Sequence, residues 1–151
     1  MTNTDRIEKK VVLGATRSRV FSAISDYQQF GAWFRAKVDR PFVQGKSVKG
    51  RVTYPGYEHL VFEMAVQSID PERYFAYRWH PYPSDPKMDY SQEPTTLVEF
   101  FLEEAKNGTL LTIIESGFDQ IPPGRRDEAF RMNESGWSGQ VDNITGYLAT
   151  S

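Results

Sequence analysis

The end of the sequence is predicted to form one long helix, and this helix limits the possible folds more than any other feature. Over residues 125–148 the apolar side chains follow one stripe at near-heptad spacing, through Phe130, Trp137, Val141, Ile144 and Leu148. The segments before it are short and alternate as strands do. Because the apolar face of a sheet needs a cover, and no other predicted element is long enough, this helix is expected to lie across the sheet.

The segments that precede the long helix predict an antiparallel sheet. A first strand at residues 6–13 is followed by two short helices, which are capped by Thr16 and Asp26. Further strands are predicted at residues 47–54, 60–67, 74–80, 95–103 and 109–118, with a loop at 81–94. Strands joined in sequence by short turns form an antiparallel meander. We therefore expect an α+β fold, with a sheet of about six to seven strands wrapped around the C-terminal helix, and a single domain over residues 1–151.

The composition narrows the class of protein. Ten Phe, eight Tyr and three Trp residues exclude disorder for most of the chain, because so many large rings would not stay solvated. The 18 basic and 20 acidic residues leave a net charge of −2, which argues against a general nucleic-acid binder. The absence of cysteine excludes disulfides, thiolate metal sites and cysteine nucleophiles. No apolar run approaches the ~18 residues of a membrane span, and the polar N-terminus lacks a signal-peptide core, so a cytoplasmic protein is expected.

Motifs that would identify an enzyme are missing from the sequence. His59 and His80 lie in different parts of the predicted sheet, and neither has the i, i+4 partner of a helical metal site. Phosphate loops, dinucleotide fingerprints and nucleophile elbows do not occur. We therefore expect no metal, no cofactor and no dedicated catalytic residue.

The predicted long helix has two unusual features. It contains Gly136, Gly139 and Gly146, each of which costs about 1 kcal/mol relative to alanine, and packing or function must offset that cost. It also begins with Arg125 and Arg126, although positive charge at a helix N-terminus opposes the helix dipole. We expect this pair to be solvated, and contact with a partner is the alternative.

Large side chains from the second helix, several strands and the last helix are predicted to converge between the sheet and the long helix. For any single ring a filled core is the simpler interpretation. Together, bulky rings and helix glycines can instead hold the helix away from the sheet and leave an apolar cavity. The predicted lining residues are Trp33, Phe34, Tyr54, Phe62, Met64, Tyr77, Trp79, Phe100, Phe118, Met132, Gly136 and Trp137, with Arg78 and Glu115 as possible polar groups.

Several short motifs, in this order and spacing, resemble the START-like (SRPBCC) superfamily. They resemble most the branch formed by homologues of the C-terminal domain of the heat-shock-protein-90 ATPase activator, over residues 7–148. The motifs are Ala15-Thr16 before Val20-Phe21, then Asp26, Phe30 and Trp33, Asp70-Pro-Glu-Arg73 before Phe75-Ala-Tyr77-Arg-Trp79, Thr96-Leu-Val-Glu-Phe100, Gly108-Thr-Leu-Leu-Thr112, Glu115-Ser-Gly-Phe118 and Asn133-Glu-Ser-Gly-Trp137.

The resemblance implies a helix-grip fold, in which the sheet grips the C-terminal helix around a hydrophobic cavity that Trp137 faces. It implies binding of a small hydrophobic ligand, which is aromatic, polyketide-like or acyl. One alternative is an aromatase/cyclase-like enzyme that uses Glu115, Arg78 or His80 in the same cavity. Another is a co-chaperone or protein-interaction module related to heat-shock-protein-90 ATPase activation and the stress response. We favour binding over catalysis, and expect a monomer or weak homodimer with a possible protein partner but no nucleic acid.

Overall fold

The structure of the protein, a computed structural model, describes residues 5–83 and 87–149. Within these residues it has seven strands: β1 (Arg6–Leu13), β2 (Ala36–Val38), β3 (Ser47–Val52), β4 (Val61–Asp70), β5 (Tyr74–Trp79), β6 (Thr96–Ala105) and β7 (Gly108–Ser116). The helices are α1 (Arg17–Ser25), α2 (Tyr27–Phe34) and α3 (Pro123–Ala149), and one turn of 3-10 helix covers Phe118–Gln120. The α+β helix-grip fold expected from the sequence is confirmed.

All seven strands belong to one antiparallel sheet, in the order β1-β7-β6-β5-β4-β3-β2. Strands β2 to β7 follow one another as the predicted meander. β1 instead returns beside β7 and pairs with it along its whole length, from Arg6 opposite Ser116 to Leu13 opposite Thr109. The β6–β7 hairpin turns at Asn107, whose φ of 66° is in the left-handed region. The first and last strands therefore support each other.

The two short helices begin where the sequence places their caps. Thr16 accepts a hydrogen bond from the backbone N–H of Arg19 at 3.1 Å, and Asp26 accepts one from that of Gln28 at 2.9 Å. α2 ends at Arg35, which adopts the left-handed conformation with a φ of 64°. This sharp end directs the chain from α2 into β2.

The strand β2 is absent from the sequence-based prediction. It pairs with β3 over only three residues, from Ala36 opposite Val52 to Val38 opposite Gly50. Three residues are too few for an alternating pattern to be recognised. The remaining strands and helices lie where the sequence predicts them, to within a few residues at their ends.

The expectation that Arg125 is solvated is wrong. Its guanidinium donates to the Glu93 carboxylate at 2.6–3.1 Å and to the carbonyl oxygens of Pro81 and Tyr82 at 2.6 and 2.7 Å. It also lies 4.8 Å from the centre of the Tyr90 ring. Arg125 thus fastens the predicted loop at 81–94 to the start of α3; residues 84–86 of that loop lie outside the described residues.

The three helices pack on one face of the sheet, and the core lies between them. Buried side chains from α1, α2, α3 and every strand form one cluster, which includes Ile24, Phe30, Phe75, Leu111 and Ile144. In the described part of the chain no helix is both long and apolar enough to cross a membrane. The sheet and helices therefore meet over an apolar interior, in which any polar group needs a hydrogen-bond partner.

The close approach of β1 to the start of β7 generates a prediction. A Cβ added at Gly108 would lie 2.0 Å from the Leu13 carbonyl oxygen, whereas one at Gly14 would meet nothing within 4 Å. We expect Gly108→Ala to lower the free energy of unfolding by about 2–3 kcal/mol, because backbone must move to accommodate it. Gly14→Ala is the matched control and should change it by less than about 0.5 kcal/mol. Urea unfolding measures both, and equal values would contradict the close approach.

Candidate functional site

The centre of the candidate site is Glu115, near the end of β7. The alternation of this strand buries Leu111, Ile113 and Glu115 on the face that the helices cover. The Glu115 side chain is 0% exposed. Since water does not reach this carboxyl group, the protein must supply hydrogen bonds to both of its oxygens.

Glu115 receives these hydrogen bonds from four side chains on three elements. On one side, Oε1 accepts from the indole Nε1 of Trp137 at 2.8 Å and from Nδ2 of Asn133 at 2.9 Å. On the other side, Oε2 accepts from the indole Nε1 of Trp79 at 2.8 Å, from Oγ1 of Thr96 at 2.5 Å and from Asn133 at 3.2 Å. One carboxylate therefore joins β5, β6 and α3 to β7.

The four hydrogen-bond donors to Glu115 carry no charge. Burial raises the pKa of Glu115 above its ordinary value of 4.5, and the hydrogen bonds from Thr96, Trp79, Trp137 and Asn133 oppose that rise. Burial, together with the charge of Glu115, also raises the pKa of the Tyr77 hydroxyl. That hydroxyl is buried and has no hydrogen-bond partner within the described residues.

The two indoles that Glu115 holds form part of an aromatic wall, composed of Phe34, Phe62, Trp79 and Trp137. The centre of the Phe34 ring lies 6.0 Å from that of Phe62, 6.1 Å from that of Trp79 and 6.0 Å from that of Trp137. The two tryptophan rings are 6.1 Å apart, and Phe62 is 5.7 Å from Trp79. These separations are in the range of favourable ring contacts, so the wall is a packed unit.

A cavity of about 570 Å³ lies in front of the aromatic wall, between the sheet and α3. Tyr54, Tyr57 and Val61 also line it, and they are 43–48% exposed, so the cavity opens to solvent on their side. On the helix side the lining includes Gly136 and Gly139. A Cβ built on either glycine meets no heavy atom within 4 Å. Packing against a neighbour therefore does not explain these two glycines.

The predicted cavity residues divide into two groups in the structure. Seven of them line the cavity: Phe34, Tyr54, Phe62, Trp79, Met132, Gly136 and Trp137. Five are buried in the core and are absent from the lining: Trp33, Met64, Tyr77, Phe100 and Phe118. Trp33, for example, donates its indole N–H to the carbonyl oxygen of Ala23 at 2.7 Å and so joins α2 to α1.

The two predicted polar groups lie on different sides of the sheet. Arg78 is exposed and contacts Thr95 at 3.4–3.5 Å, away from the cavity. Glu115 lies behind the aromatic wall and reaches the cavity only through the side chains that it holds. Among residues 5–83 and 87–149, no three His, Asp or Glu side chains are grouped closely enough to hold a metal ion.

Asn133 and Gln140 are two of the polar lining residues that are not among the sequence-predicted site residues. Each stands one helical turn from a residue that was selected, since Asn133 precedes Trp137 by four residues and Gln140 follows Gly136 by four. Residues four apart share a helix face. The i, i+4 relation was therefore a signal in the sequence that could have identified both.

The bonds to Glu115 predict that Glu115→Gln destabilises the protein. Each carboxylate oxygen faces an indole N–H, so either orientation of the glutamine places its NH₂ group against a donor that cannot accept. We expect a loss of about 1–3 kcal/mol in unfolding free energy, despite the removal of a buried charge. Glu99→Gln is the control, because within residues 5–83 and 87–149 the Glu99 side chain accepts only from the Tyr74 hydroxyl, which glutamine can also accommodate. A stabilised Glu115→Gln variant would contradict this view of the site.

The raised pKa of Glu115 predicts how its contribution changes with pH. A group whose pKa is higher in the folded than in the unfolded protein contributes fully below its unfolded pKa of about 4.5, and the contribution falls as pH rises through the folded pKa. We therefore expect the stability advantage of wild type over Glu115→Gln to be largest at the acidic end of the folded range and to shrink as pH rises. Urea unfolding at a series of pH values measures it, and an advantage that grows with pH would overturn the prediction.

Comparison with known proteins identifies the family to which this chain belongs. Residues 14–149 match the family model described as activator of Hsp90 ATPase homolog 1-like protein. No curated protein sequence is significantly similar to this chain.

Three solved structures illustrate the similarity of the fold. DynU16, from the dynemicin biosynthetic locus, is 23% identical with a TM-score of 0.75, over 97% of this chain and 48% of its own. The chain thus spans about half the length of DynU16. Protein MLL2253 from Mesorhizobium loti is 19% identical with a TM-score of 0.76, over 97% and 98% of the two chains. The Aha1 dimer from Colwellia psychrerythraea is 15% identical with a TM-score of 0.72, over 95% of each.

Since the family model covers most of the sequence, the chain belongs to the family of Hsp90 ATPase activator homolog 1-like proteins, within the START-like (SRPBCC) fold.

Proposed function

We propose that the protein binds a small hydrophobic molecule, with an aromatic, polyketide-like or acyl body, in the cavity between the sheet and α3. The observation that carries this proposal is the open cavity of about 570 Å³ in front of a wall of four aromatic rings. Ligand sites are typically clefts of roughly 300–1,000 Å³ with mostly apolar walls and few polar groups. The cavity has this size and this character.

The glycines of α3 support the proposal. Met132, Gly136, Gly139 and Asn143 form one stripe of the helix, and all four line the cavity. Each glycine costs the helix about 1 kcal/mol relative to alanine, and no neighbouring side chain requires its small size. Because these glycines border the cavity, their effect is to keep it open, and a ligand would occupy the space that larger side chains would fill.

The expected affinity follows from the apolar area that a ligand can bury. A planar ligand that buries ~200 Å² of apolar surface gains ~5 kcal/mol at 25 cal/mol/Å². Association opposes this gain with a comparable loss of translational and rotational freedom. Apolar contact alone therefore gives weak binding, and tighter binding requires polar contacts with the cavity.

A second candidate function is catalysis of the aromatase/cyclase type in the same cavity. Glu115 favours it, because a buried carboxyl group with a raised pKa is typical of acid–base catalysts, but Glu115 does not itself line the cavity, so a substrate would have to reach it past the side chains that it holds. DynU16 comes from a biosynthetic locus, which is compatible with either function. Cyclisation of a linear poly-β-ketone with a bell-shaped pH profile, abolished in folded Glu115→Gln, would favour catalysis. Binding without turnover would favour the first proposal.

Nuclear magnetic resonance titration tests the binding proposal. The probes are phenols, flavonoids, sterols and fatty acids, and the signals are the three indole N–H groups. Trp79 and Trp137 line the cavity, whereas Trp33 is buried and bonded to Ala23, so Trp33 is an internal control. We expect one probe class to shift the first two signals saturably and to leave the third nearly unchanged. Equal shifts of all three, or none with any class, would contradict the proposal.

A glycine on α3 provides a matched pair of variants. Gly136→Leu should fill the cavity and weaken binding of the best probe by at least about tenfold, whereas Gly146→Leu should not, since Gly146 lies on the same stripe beyond the cavity. Both should preserve or raise the melting temperature, because glycine is the poorer helix former by about 1 kcal/mol. Calorimetric titration and thermal melting measure the two effects. Equal loss of affinity in both variants would place the ligand elsewhere.

A further inference from the structure

Glu115 fixes the orientation of the Asn133 side chain from behind the cavity. The Asn133 Nδ2 atom donates to both carboxylate oxygens of Glu115, at 2.9 and 3.2 Å. An ionised carboxylate accepts hydrogen bonds and donates none, so the amide must turn its nitrogen, and not its oxygen, toward Glu115.

The orientation is also compatible with a protonated Glu115 whose proton points toward Thr96. A proton on the carboxyl group must point at a partner that can accept it. Trp79 and Trp137 offer only N–H groups, whereas the Thr96 hydroxyl, 2.5 Å from Oε2, can accept as well as donate. With the proton directed at Thr96, both carboxyl oxygens still offer acceptor lone pairs to Asn133, which keeps its nitrogen toward Glu115.

The opposite end of the amide is available to a ligand. Within the described part of the chain the Asn133 Oδ1 atom accepts no hydrogen bond, and it is not among the buried polar atoms that lack a partner. Asn133 lines the cavity one helical turn before Trp137. An accessible carbonyl oxygen with two lone pairs therefore lies beside the aromatic wall.

Two other side-chain amides line the cavity, those of Gln140 and Asn143, and they bond to each other at 3.1 Å. Gln140 also lines the cavity, but its Nε2 donates to the Phe34 carbonyl oxygen at 2.8 Å and its Oε1 accepts from Asn143 at 3.1 Å. The first of these bonds joins α3 to α2, and the second lies within α3. Among the three amides, Asn133 is the one whose nitrogen is held by the carboxylate behind the aromatic wall, which turns its oxygen away from Glu115.

We propose that Asn133 selects ligands that carry a hydrogen-bond donor, such as an aromatic hydroxyl or N–H group, and that Glu115 acts as the positioning residue for this selection. The inference rests on the proposed function, since it requires a ligand in the cavity. A ligand with only acceptors or apolar groups at this point would displace water from Oδ1 without replacing its hydrogen bond. Such a ligand binds more weakly than one of the same shape with a donor.

A pair of probes of nearly equal shape tests the proposal. 2-Naphthol carries a hydroxyl donor, and 2-methoxynaphthalene carries a methyl ether that can only accept. We expect wild-type protein to bind the naphthol about 3- to 10-fold more tightly, the range of one net hydrogen bond. Asn133→Leu should reduce this ratio to about one, mainly through weaker binding of the naphthol. Ser138→Leu, on the exposed side of the same helix and outside the cavity, should leave the ratio unchanged.

The outcomes separate this inference from the proposed function. Equal affinity of wild type for both probes, or an unchanged preference in Asn133→Leu, would overturn the role of Asn133 and leave ligand binding intact. Failure of wild type to bind either probe or any of the earlier probe classes would overturn both. If Asn133→Leu does not fold, the wild-type side-chain amide signals of Asn133 decide instead. They should shift with 2-naphthol much more than with its methyl ether, and equal shifts would contradict the proposal.

Discussion

The rest of the site depends on one carboxylate, that of Glu115, which is buried among hydrogen-bond donors that carry no charge. Removing Glu115 from water is costly, and the structure compensates with neutral donors from β5, β6 and α3. A buried charge of this kind adds little net stability. What it does supply is geometry, because an indole N–H can satisfy the carboxylate in only a narrow range of positions. The two tryptophans and Asn133 are therefore held where Glu115 requires them.

This constraint explains how a cavity can persist next to an apolar core. Apolar side chains collapse into any space that they can reach, since interiors pack as densely as organic crystals. Trp79 and Trp137 are large enough to fill much of the space in front of them, but their N–H groups tie both rings to Glu115. Leaving those positions would strand buried donors and acceptors, at a cost of about 1–3 kcal/mol for each group. The cavity is thus maintained by polar bonds behind its wall.

Most of the fold could be predicted from the sequence because its signals are local. Alternation, turn residues and the caps Thr16 and Asp26 predict nearly every element of the structure. The exceptions have physical reasons. β2 is too short to show a period, and Arg125 was misjudged because its partner Glu93 lies 32 residues away. Helix-dipole reasoning considers only the residues of the helix itself and does not include a bidentate partner supplied by a distant loop.

The candidate site could be predicted only in part, for a related reason. The parity of β7 predicts that Glu115 faces inward, but nothing local to that strand indicates which donors will meet it. Likewise, the sequence predicts which aromatic residues point inward, toward the space between the sheet and α3. Which of them line a cavity and which fill the core depends on the distance between α3 and the sheet. Trp33 and Phe100 belong to the core, and Phe34 and Trp79 to the wall, although the sequence assigns them the same character.

The position of α3 is set by polar anchors, spaced along the helix. At its start Arg125 binds Glu93 and the loop carbonyls; in its middle Asn133 and Trp137 bind Glu115; and one turn later Gln140 binds the Phe34 carbonyl oxygen. Gly136 lies between Asn133 and Trp137, and Gly139 lies just after Trp137. At these two positions no side chain is needed to hold α3 at its distance from the sheet, because the hydrogen bonds already do so. Hydrogen bonds tolerate only a few tenths of an ångström of variation, whereas apolar contacts adjust to the volume available. An arrangement in which polar bonds set the spacing, and small residues leave it unfilled, would keep the proposed binding site formed before a ligand arrives, so that less of the binding free energy would be spent on ordering the protein.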